Sequence, residues 1–426
     1  MARKMKSSGI EWIGKIPEDW KVVRLKYISD FYNGFSFDSN DLIVDYRYPV
    51  IRIGDINSEI VDLNSALGIK DDFGLAPYLI KDNDILLAMS GATVGKVGFI
   101  EKSRTSYINQ RVGIIRALAP HFAFYNMLTK SFLEYITIRA DGSAQPNISA
   151  KMIENFPIAY PDATLADEIA NKIKKKTHAI NEITCLIKQE IQTLEDYKKS
   201  VITEAVTKGL DKNAAMKDSG IEWIGDIPKH WEVIKLKYEA EKIAKGISPK
   251  YVEEELTPVI NQATFSKGYF DNNLNYCSDK PIGDGLLQKN DVLLATTGGG
   301  VLGKCFFFEE DGKYLASTDV AFIRCKDKAV AKFIYYIFSV SYQLFNGIYA
   351  KGATNQTHLQ MNMLSNMQLP LPSDKELEDI ILFLDKMSGK IDDAIAGKQK
   401  QLETLEEYKK SLIYEYVTGK KEVAEC

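Results

Sequence analysis

Apolar residues recur every seven positions in two long stretches of the chain. The first row is Ile173, Ile180, Ile187, Leu194 and Val201, and 211 residues later the second is Leu384, Ile391, Lys398, Leu405 and Leu412. The first stretch contains neither proline nor glycine over residues 162–208. A heptad row of this length predicts one long helix with a coiled-coil face, and the second stretch predicts another.

The chain before each long helix has the pattern of short strands and forms what we term lobe one and lobe two. In lobe one, β-branched and aromatic runs bounded by Gly, Pro, Asn or Asp predict strands at 22–25, 48–53, 84–88, 107–116 and 156–160. Residues 121–139 carry apolar side chains at helical spacing, which predicts one helix packed on the sheet. Lobe two repeats this plan, with strands at 258–260, 291–295 and 320–324 and a helix over 330–345.

The two long helices need a surface on which to bury their apolar faces. A partial second row of Ile169, Ile183 and Tyr197 widens the face of the first helix. Because the helices are equally long and each begins where a lobe ends, we expect them to pair antiparallel. The alternative is that each helix packs on its own lobe. Lys398 interrupts its row, and it either fixes the register or marks an end of the paired region.

Two segments occur twice at the same offset. Residues 5–27 and 216–238 are identical at 16 of 23 positions, and residues 191–207 and 402–418 at 11 of 17, in both cases 211 residues apart. The sequence therefore predicts an α+β protein with pseudo-twofold internal duplication, in which two similar lobes of mixed sheet and helices are joined by two long antiparallel coiled-coil helices. The predicted boundaries are 1–161, 162–211, 212–372 and 373–426 for lobe one, the first helix, lobe two and the second helix.

Between their repeated ends the two lobes differ. Matching residues inside the lobes stand at other offsets, 207 for Asn83 and Asn290 and 208 for Arg116 and Arg324. Small insertions and deletions therefore cancel within each lobe. The repeated segments therefore indicate a common framework, and the two lobes that it carries differ in sequence.

Composition excludes several classes of protein. Hydrophobic residues make up 45% of the chain and charged residues 26%, which is typical of globular domains, and no apolar run approaches the ~18 residues of a membrane span. The basic N-terminal residues precede no apolar stretch, so we expect no secretory signal. None of the five cysteines lies in a CxxC pair, which favours a reducing compartment over a disulfide framework or a structural zinc.

Charge gives no overall signal for nucleic acid. The net charge is −4, and the lobes are nearly neutral, with 19 basic and 18 acidic side chains in residues 1–160 and 18 of each in residues 212–372. The excess of acidic residues lies in the long helices. A basic face on either lobe would have to be created by folding.

One segment resembles a phosphate-binding loop. Residues 298–305 read GGGVLGKC, which matches GxxxxGK but places Cys305 where magnesium binding requires Ser or Thr. The duplicated segment in lobe one is one residue shorter and ends in Val97. A turn of this kind either forms a plain hairpin or holds a phosphate of a nucleic-acid backbone. No other catalytic motif is present in the sequence, which indicates a non-catalytic protein.

The repeated blocks, taken in their order, resemble the specificity subunits of type I restriction–modification systems along the whole chain. The blocks are the GIEWIG openings at 9–20 and 220–231, the NDILLA-type segments at 83–96 and 290–304, the loops at 142–149 and 352–357, and the helical segments at 193–202 and 404–413. No single block is decisive, but their duplicated order is specific.

The resemblance implies a function in DNA recognition. Each lobe would be a target recognition domain that reads one half of a split, asymmetric site in double-stranded DNA, and the two helices would set the distance between the halves. The helices would also bind two methyltransferase (M) subunits, which carry S-adenosylmethionine, and ATP-dependent restriction (R) subunits would join them. The chain itself would bind no cofactor, metal or membrane, and it would work in the cytoplasm of a prokaryote.

Within the lobes, polar residues of the loops are the candidates for DNA contact, because Arg, Lys, Asn, Gln, Ser and Thr read base edges or hold phosphates. In lobe one the candidates are Arg52, Ser90, Thr93, Lys96, Arg104, Asn109, Gln110, Arg111, Ser143, Gln145 and Asn147. In lobe two they are Asn261, Gln262, Thr296, Thr297, Lys304, Thr318, Lys351, Thr354, Asn355 and Gln356.

One candidate segment differs in charge between the lobes. The alignment pairs Asn109-Gln110-Arg111 with Thr318-Asp319-Val320. Asp319 would repel phosphate, which puts the segment's role in lobe two in doubt.

Two other functions compete with DNA recognition. A two-lobed scaffold that joins proteins without touching DNA is compatible with the nearly neutral lobes. A phosphate-loop NTPase is disfavoured by Cys305 and by the shortened first copy.

Overall fold

The computed structural model describes residues 3–44, 46–57, 59–64, 66–70, 74, 76–139, 147–254, 256–278, 285–298, 300–347, 350–351 and 358–423. The chain divides into two compact units, unit 1 with residues 1–187 and 399–426 and unit 2 with residues 188–398. Both boundaries fall inside long helices, 211 residues apart. Each unit therefore contains one lobe and a part of each long helix.

Lobe one combines an antiparallel sheet with smaller sheets and short helices. Its strands are β1 (Met5–Ser7), β2 (Lys15–Pro17), β3 (Lys21–Arg24), β4 (Ser29–Asn33), β5 (Tyr48–Ile51), β6 (Ile56–Asn57), β7 (Ile60–Val61), β8 (Gly68–Ile69), β9 (Ile85–Ala88), β10 (Val97–Phe99), β11 (Tyr107–Ile108), β12 (Val112–Ala117) and β13 (Pro157–Tyr160). Its helices are α1 (Pro120–Met127), α2 (Lys130–Arg139) and α3 (Ala150–Glu154), and the first long helix is α4 (Ala163–Lys208). The main sheet has the order β10-β9-β12-β4, and β11 pairs parallel with β5 in a second sheet.

Lobe two repeats this architecture. Its strands are β14 (Met216–Asp218), β15 (Asp226–Pro228), β16 (Glu232–Lys235), β17 (Ala240–Lys245), β18 (Tyr251–Val252), β19 (Thr257–Ile260), β20 (Asn275–Cys277), β21 (Val292–Ala295), β22 (Cys305–Phe307), β23 (Leu315–Ala316), β24 (Val320–Cys325), β25 (Ala350–Lys351), β26 (His358–Leu359) and β27 (Gln368–Leu371). Its helices are α5 (Leu236–Glu239), α6 (Gln262–Phe265), α7 (Lys328–Val340), α8 (Tyr342–Gly347) and α9 (Met361–Ser365), and the second long helix is α10 (Asp374–Val417). The order β17-β24-β21-β22 repeats that of the main sheet of lobe one. The predicted α+β duplication is confirmed.

Each main sheet is buried on both faces, which explains why its central strands lack polar alternation. In β9, Ile85 and Leu87 pack in the cluster that contains α1 and α2. Leu86 and Ala88, on the other face, pack in a separate cluster with β5 and β12. A strand with core on both sides is apolar throughout, so the run DILLA gives no sign of which face is which.

The predicted helix over residues 121–139 is wrong in one respect, because two helices, α1 and α2, occupy this range. At the junction, the Thr129 hydroxyl donates to the carbonyl of Asn126 at 2.7 Å and accepts the N–H of Phe132 at 3.3 Å. A side chain that bonds to the local backbone in this way competes with helix continuation. In lobe two, the predicted helix over 330–345 likewise divides into α7 and α8 at Ser341.

Parts of the two long helices pair antiparallel within each unit. In unit 1, Lys409 Nζ lies 3.2 Å from Asn181 Oδ1. In unit 2, Lys398 contacts Glu190 at 2.5 Å and Lys198 contacts Asp392 at 2.7 Å, so the numbers rise on one helix as they fall on the other. The ten predicted heptad residues are all buried or half-buried. The predicted antiparallel pairing is therefore confirmed within each unit, and Lys398 forms an ion pair in the paired region.

The predicted second row of the first helix is only partly correct, because Ile169 is buried but Ile183 and Tyr197 are exposed. The residues that accompany the heptad row into the helix contact instead follow it by four positions. They include Thr177, Thr184, Ile191, Lys198 and Ala205, all buried or half-buried. Several of these residues are polar, so a search for hydrophobic residues alone selects the row with Ile183 and Tyr197 instead.

The repeated N-terminal segments pack on the ends of the long helices. In unit 1, Trp20 is fully buried with Tyr416 and Val417 of α10. In unit 2, Trp231 is fully buried, and its indole N–H donates to Glu376 at 3.0 Å. Gly209 follows α4 with a φ of +73°, which is typical of a C′ glycine. The repeated segments are thus part of the frame that holds each lobe to the helices.

Candidate nucleic-acid interface

Four predicted residues of lobe one line a single polar groove. Ser90, Gln110, Arg111 and Asn147 surround a groove of about 790 Å³, together with Asn33 from β4. Gln110 and Arg111 are exposed in the connection between β11 and β12, which is fixed where the Met89 N–H donates to the Arg111 carbonyl at 2.9 Å. The groove therefore presents the amides of Asn33, Gln110 and Asn147 and the guanidinium of Arg111 beside the ends of strands of the main sheet.

A second groove lies on the other side of the same connection. It has a volume of about 520 Å³ and is lined by Arg52, Asn109, Gln110, Arg111 and the apolar residues Phe37 and Leu42, among others. Arg52 stands at the start of a short 3₁₀ helix, where its backbone N–H donates to Asp55 at 2.8 Å. Gln110 and Arg111 thus line both grooves, and Arg52 and Arg111 are the two arginines of the second groove.

Two of the predicted hydroxyls of lobe one are buried without a hydrogen-bond partner among the described residues. They are Ser90 Oγ and Thr93 Oγ1. A buried hydroxyl that lacks a partner costs free energy. Ser90 lies in the first groove, where a ligand or water could supply the missing partner.

Arg104 and Lys96 stand apart from this cluster. The Arg104 guanidinium donates to the Tyr46 hydroxyl and to the Leu63 carbonyl, beside a cavity that contains none of the other candidates. Lys96 is half-buried in the hairpin between β9 and β10. The structure therefore joins Ser90, Gln110, Arg111 and Asn147 on one side and Arg52 and Asn109 on the other.

In lobe two, the predicted residues form a more self-contained cluster. Thr297 Oγ1 donates to Gln262 Oε1 at 3.2 Å, and the Gln262 N–H donates to Asp319 at 3.1 Å. Asn261 caps α6 by accepting the N–H groups of Ala263 and Thr264. Asn261 therefore has the local role of a capping residue.

Three further candidates of lobe two have different environments. Thr296 is fully buried, and its hydroxyl has no partner among the described residues. Thr318 is exposed. Lys304 Nζ donates to the Ser266 carbonyl at 2.7 Å, which ties the hairpin to the end of α6.

The predicted alignment of Asn109-Gln110-Arg111 is wrong by one residue. Asn109 N–H donates to Ile51, the last residue of β5, and Ser317 N–H donates to Ile260, the last residue of β19, both at 2.9 Å. The counterpart is therefore Ser317-Thr318-Asp319. The error arose because both segments mix polar and apolar residues, and only the hydrogen bonds fix their register.

This correction places Asp319 where lobe one has Arg111. The Asp319 carbonyl accepts the Thr296 N–H at 2.9 Å, as the Arg111 carbonyl accepts that of Met89. The Asp319 carboxylate accepts hydrogen bonds from Gln262 N–H and the Ser317 hydroxyl. We use the term rim for the strand ends around the first groove of lobe one and for their counterparts in lobe two. Equivalent rim positions of the two lobes thus carry opposite charges.

Several candidates lie outside the described residues. These are Ser143, Gln145, Thr354, Asn355 and Gln356. Lys351 is described as part of β25, where its backbone pairs with His358.

The glycine-rich segment of lobe two forms a hairpin turn. It connects β21 to the antiparallel β22, with Gly298 at φ +90° and Gly303 at φ +89°. A phosphate-binding loop leads from a strand into a helix, whereas this segment leads into a strand. Burial raises the pKa of Cys305 to about 12, so its thiol remains protonated. The NTPase hypothesis is therefore wrong.

One rim residue was missed at the sequence level. His358 of β26 is exposed and forms an isolated β-bridge with Thr297, as Asn147 does with Ser90 in lobe one. The signal was available, because His358 follows Asn147 by 211 residues. Among the described residues there is no group of three or more His, Cys, Asp or Glu side chains that could hold a metal ion. No helix in that part of the chain is long and apolar enough to span a membrane.

Comparison with protein families yields one match that covers most of the chain. The family described as type I restriction modification DNA specificity domain matches twice, at residues 17–193 and 228–404. The two matches begin 211 residues apart, as the internal duplication does.

Individual relatives agree with this match. The MjaVIII specificity subunit of a type I restriction enzyme from Methanocaldococcus jannaschii is 26% identical over 95% of this chain and 94% of the relative. The MjaIX specificity subunit from the same organism is 21% identical over 97% of this chain and 96% of the relative. A chain in a solved structure on complex assembly and conformational transition of the type I R-M system has the same fold, with a TM-score of 0.72 at 15% identity over 95% of this chain and 99% of that one.

Proposed function

Because the chain belongs to the type I restriction modification DNA specificity domain family, we propose that its two lobes each read one half of a split, asymmetric site in double-stranded DNA. The chain is a specificity subunit of a type I restriction–modification system, which is a DNA-recognition subunit and not a catalytic one. The repeated segments and the long helices are alike in the two halves of the chain, whereas the lobes differ. We therefore assign the specificity for DNA sequence to the lobes.

One observation carries the proposal: the same rim positions have unlike chemistry in the two lobes. Arg111 in lobe one is replaced by Asp319 in lobe two, at the same backbone hydrogen bond. Asn147 is replaced by His358 at the same β-bridge. A guanidinium pairs with guanine and a carboxylate accepts from cytosine. Two rims that differ in this way suit two different half-sites.

The grooves of lobe one support contact with both bases and phosphates. Arg52 and Arg111 supply positive charge, while Gln110 and Asn147 are amides, which pair with adenine in a bidentate way. Gln110, Arg111 and Asn147 are exposed around one connection and one strand end. We expect Arg52 to act mainly on affinity and its salt dependence, and Gln110 and Asn147 to act on sequence preference.

The long helices would set the distance between the half-sites and bind two methyltransferase subunits. Tyr197 in unit 2 and Tyr408 in unit 1 are 50% and 49% exposed and stand 211 residues apart. Each lies beside a lysine that ties the helix pair, Lys198 to Asp392 and Lys409 to Asn181. Two equivalent exposed aromatic positions suit two copies of one partner, since tyrosine is enriched at protein interfaces.

The partners would supply the cofactors of the complex. Methyltransferase subunits would bind S-adenosylmethionine and methylate adenine, and restriction subunits would use ATP. The complex would act on DNA in the cytoplasm of a prokaryotic cell.

The decisive experiment is co-expression with a type I methyltransferase subunit, followed by mapping of methylated adenines on genomic DNA. A single motif with two unlike halves and a fixed gap is expected. A stable complex that neither methylates DNA nor retains it at low salt would support the scaffold hypothesis instead.

The docking proposal has its own test. Tyr197→Ala and Tyr408→Ala should each weaken one methyltransferase site, and native mass spectrometry should detect complexes with one bound subunit. Lys175→Ala, an exposed change on the same helix as Tyr197, is the control and should retain both. Full retention in both tyrosine variants would place the docking surface elsewhere.

A further inference from the structure

We propose that His358 determines base preference in the half-site read by lobe two, in the position that Asn147 holds in lobe one. The inference rests on the DNA-reading function proposed above and assigns a residue to it. It follows from the backbone geometry around two equivalent strand ends.

The backbone brings both residues to the same place in their lobes. In lobe one, Asn147 forms an antiparallel bridge with Ser90, and the Ile148 N–H donates to the Met89 carbonyl at 3.0 Å. In lobe two, His358 bridges Thr297, and the Leu359 N–H donates to the Thr296 carbonyl at 2.9 Å. Both bridges therefore extend the end of the central strand, β9 or β21.

The residue after each bridge anchors the chain, and the bridging residue faces outward. Ile148 and Leu359 are both only 3% exposed. Successive side chains of an extended segment point to opposite sides, and Asn147 and His358 are accordingly exposed. The position of each side chain is thus fixed by a buried neighbour, while its polar atoms remain accessible to a ligand.

The surroundings of both residues are polar. Asn147 shares its groove with Ser90, whose buried hydroxyl has no partner among the described residues. His358 stands opposite Thr297, whose hydroxyl donates to Gln262. Behind that bridge, the Thr296 hydroxyl is buried and also has no partner in the described part of the chain.

The two side chains offer different hydrogen-bonding patterns. An asparagine amide has a donor and an acceptor side by side, which matches adenine in the major groove. A neutral imidazole has one donor and one acceptor on opposite sides of a ring, and a protonated imidazole has two donors. His358 therefore cannot reproduce the paired contact of Asn147, and we expect it to select a different base.

The test uses the complex with the methyltransferase subunit and the mapped motif as readout. His358→Ala should lower discrimination at one base position about tenfold or more, in one half of the motif only, as expected for the loss of a direct base contact. His358→Asn should alter the preferred base at that position. Asn147→Ala should relax one position in the other half. The gap between the halves should remain unchanged in all three variants.

A second histidine provides the control, and different outcomes would contradict the proposed function and the assignment of His358. His178→Ala removes another exposed histidine, on α4, and should leave the motif unchanged. If the wild-type complex yields no split motif, the proposed function fails. If the wild type yields one and both His358 variants keep the full motif and rate, only the assignment of His358 is wrong. Loss of preference throughout both halves would also overturn it, because such a loss indicates a structural role.

Discussion

Two ion pairs, each between a half-buried arginine and a buried carboxylate, occupy equivalent positions in the main sheets. In lobe one, Arg116 Nε contacts Asp84 at 2.8 Å, and in lobe two Arg324 Nη2 contacts Asp291 at 2.7 Å. Each arginine also donates to a backbone carbonyl, of Leu79 or of Leu286. Burial raises the pKa of Asp291, and the hydrogen bonds from Arg324 oppose this effect. The carboxylate is therefore stabilised mainly by its partner.

Removal of one partner should destabilise lobe two strongly. We expect Arg324→Met to lower the free energy of unfolding by about 3–5 kcal/mol, because a buried carboxylate loses its partner. The double variant Asp291→Leu/Arg324→Met should recover part of this loss, since it leaves no buried charge. The measurement is urea denaturation of the full chain followed by tryptophan fluorescence.

The matched control is the exposed pair of Lys289 and Asp311 in the same lobe. Lys289→Met should leave the free energy of unfolding nearly unchanged, as is usual for surface pairs. An equally small effect of Arg324→Met would contradict the view that the buried pair holds the strands together.

At the scale of single residues, the sequence predicted the types of polar side chain around the groove better than it predicted their positions. Polar type alone identified Gln110, Arg111 and Asn147, which the structure brings to one groove. It also included Arg104, which bonds to Leu63 and Tyr46. It omitted His358 because the choice was made by residue type, although the 211-residue spacing from Asn147 indicates this position and the strand-end geometry establishes it.

Among the elements, the long helices were predicted well because their heptad period is long and regular. The predicted row is buried or half-buried throughout, whereas the second row is only partly correct. Lys198 occupies the true second row of α4, and Lys409 holds the equivalent position of α10, with their charges bound to Asp392 and Glu59. Long lysine stems can cover apolar surface while the ammonium groups reach a partner. A hydrophobicity pattern counts lysine as polar and therefore does not detect this burial.

Two isoleucines of α4 compare the heptad row, which contains Ile180, with the second row predicted from the sequence, which contains Ile183. Ile180 is 7% exposed and Ile183 is 46% exposed. We expect Ile180→Ala to cost about 2–4 kcal/mol of unfolding free energy, because it leaves a cavity in the core. Ile183→Ala should cost less than about 1 kcal/mol. Thermal denaturation of the two variants provides the comparison, and a larger effect at Ile183 would restore the original second row.

For the whole molecule, the duplication accounts for most of what the sequence predicts. Similar blocks 211 residues apart specify two lobes of the same fold, and each unit contains the same four-strand order. The rims are not specified in this way, because small insertions shift the offset between the lobes. The one-residue error at Asp319 arose in such a segment, where equivalence depends on hydrogen bonds between strands that are distant in sequence.

If the long helices set the gap between the half-sites, their length should control the gap. Seven residues inserted in heptad phase after Ile187 and after Lys398 preserve the apolar row in both helices. Seven residues add about 10 Å of helix, or about three base pairs at 3.4 Å each. We therefore expect the methylated motif to keep both halves and to gain about three base pairs between them. Insertion of four residues at both places should abolish methylation, because it moves the apolar row off the contact face. An unchanged gap after the seven-residue insertion, in a complex that still methylates DNA, would show that the helices do not set the spacing.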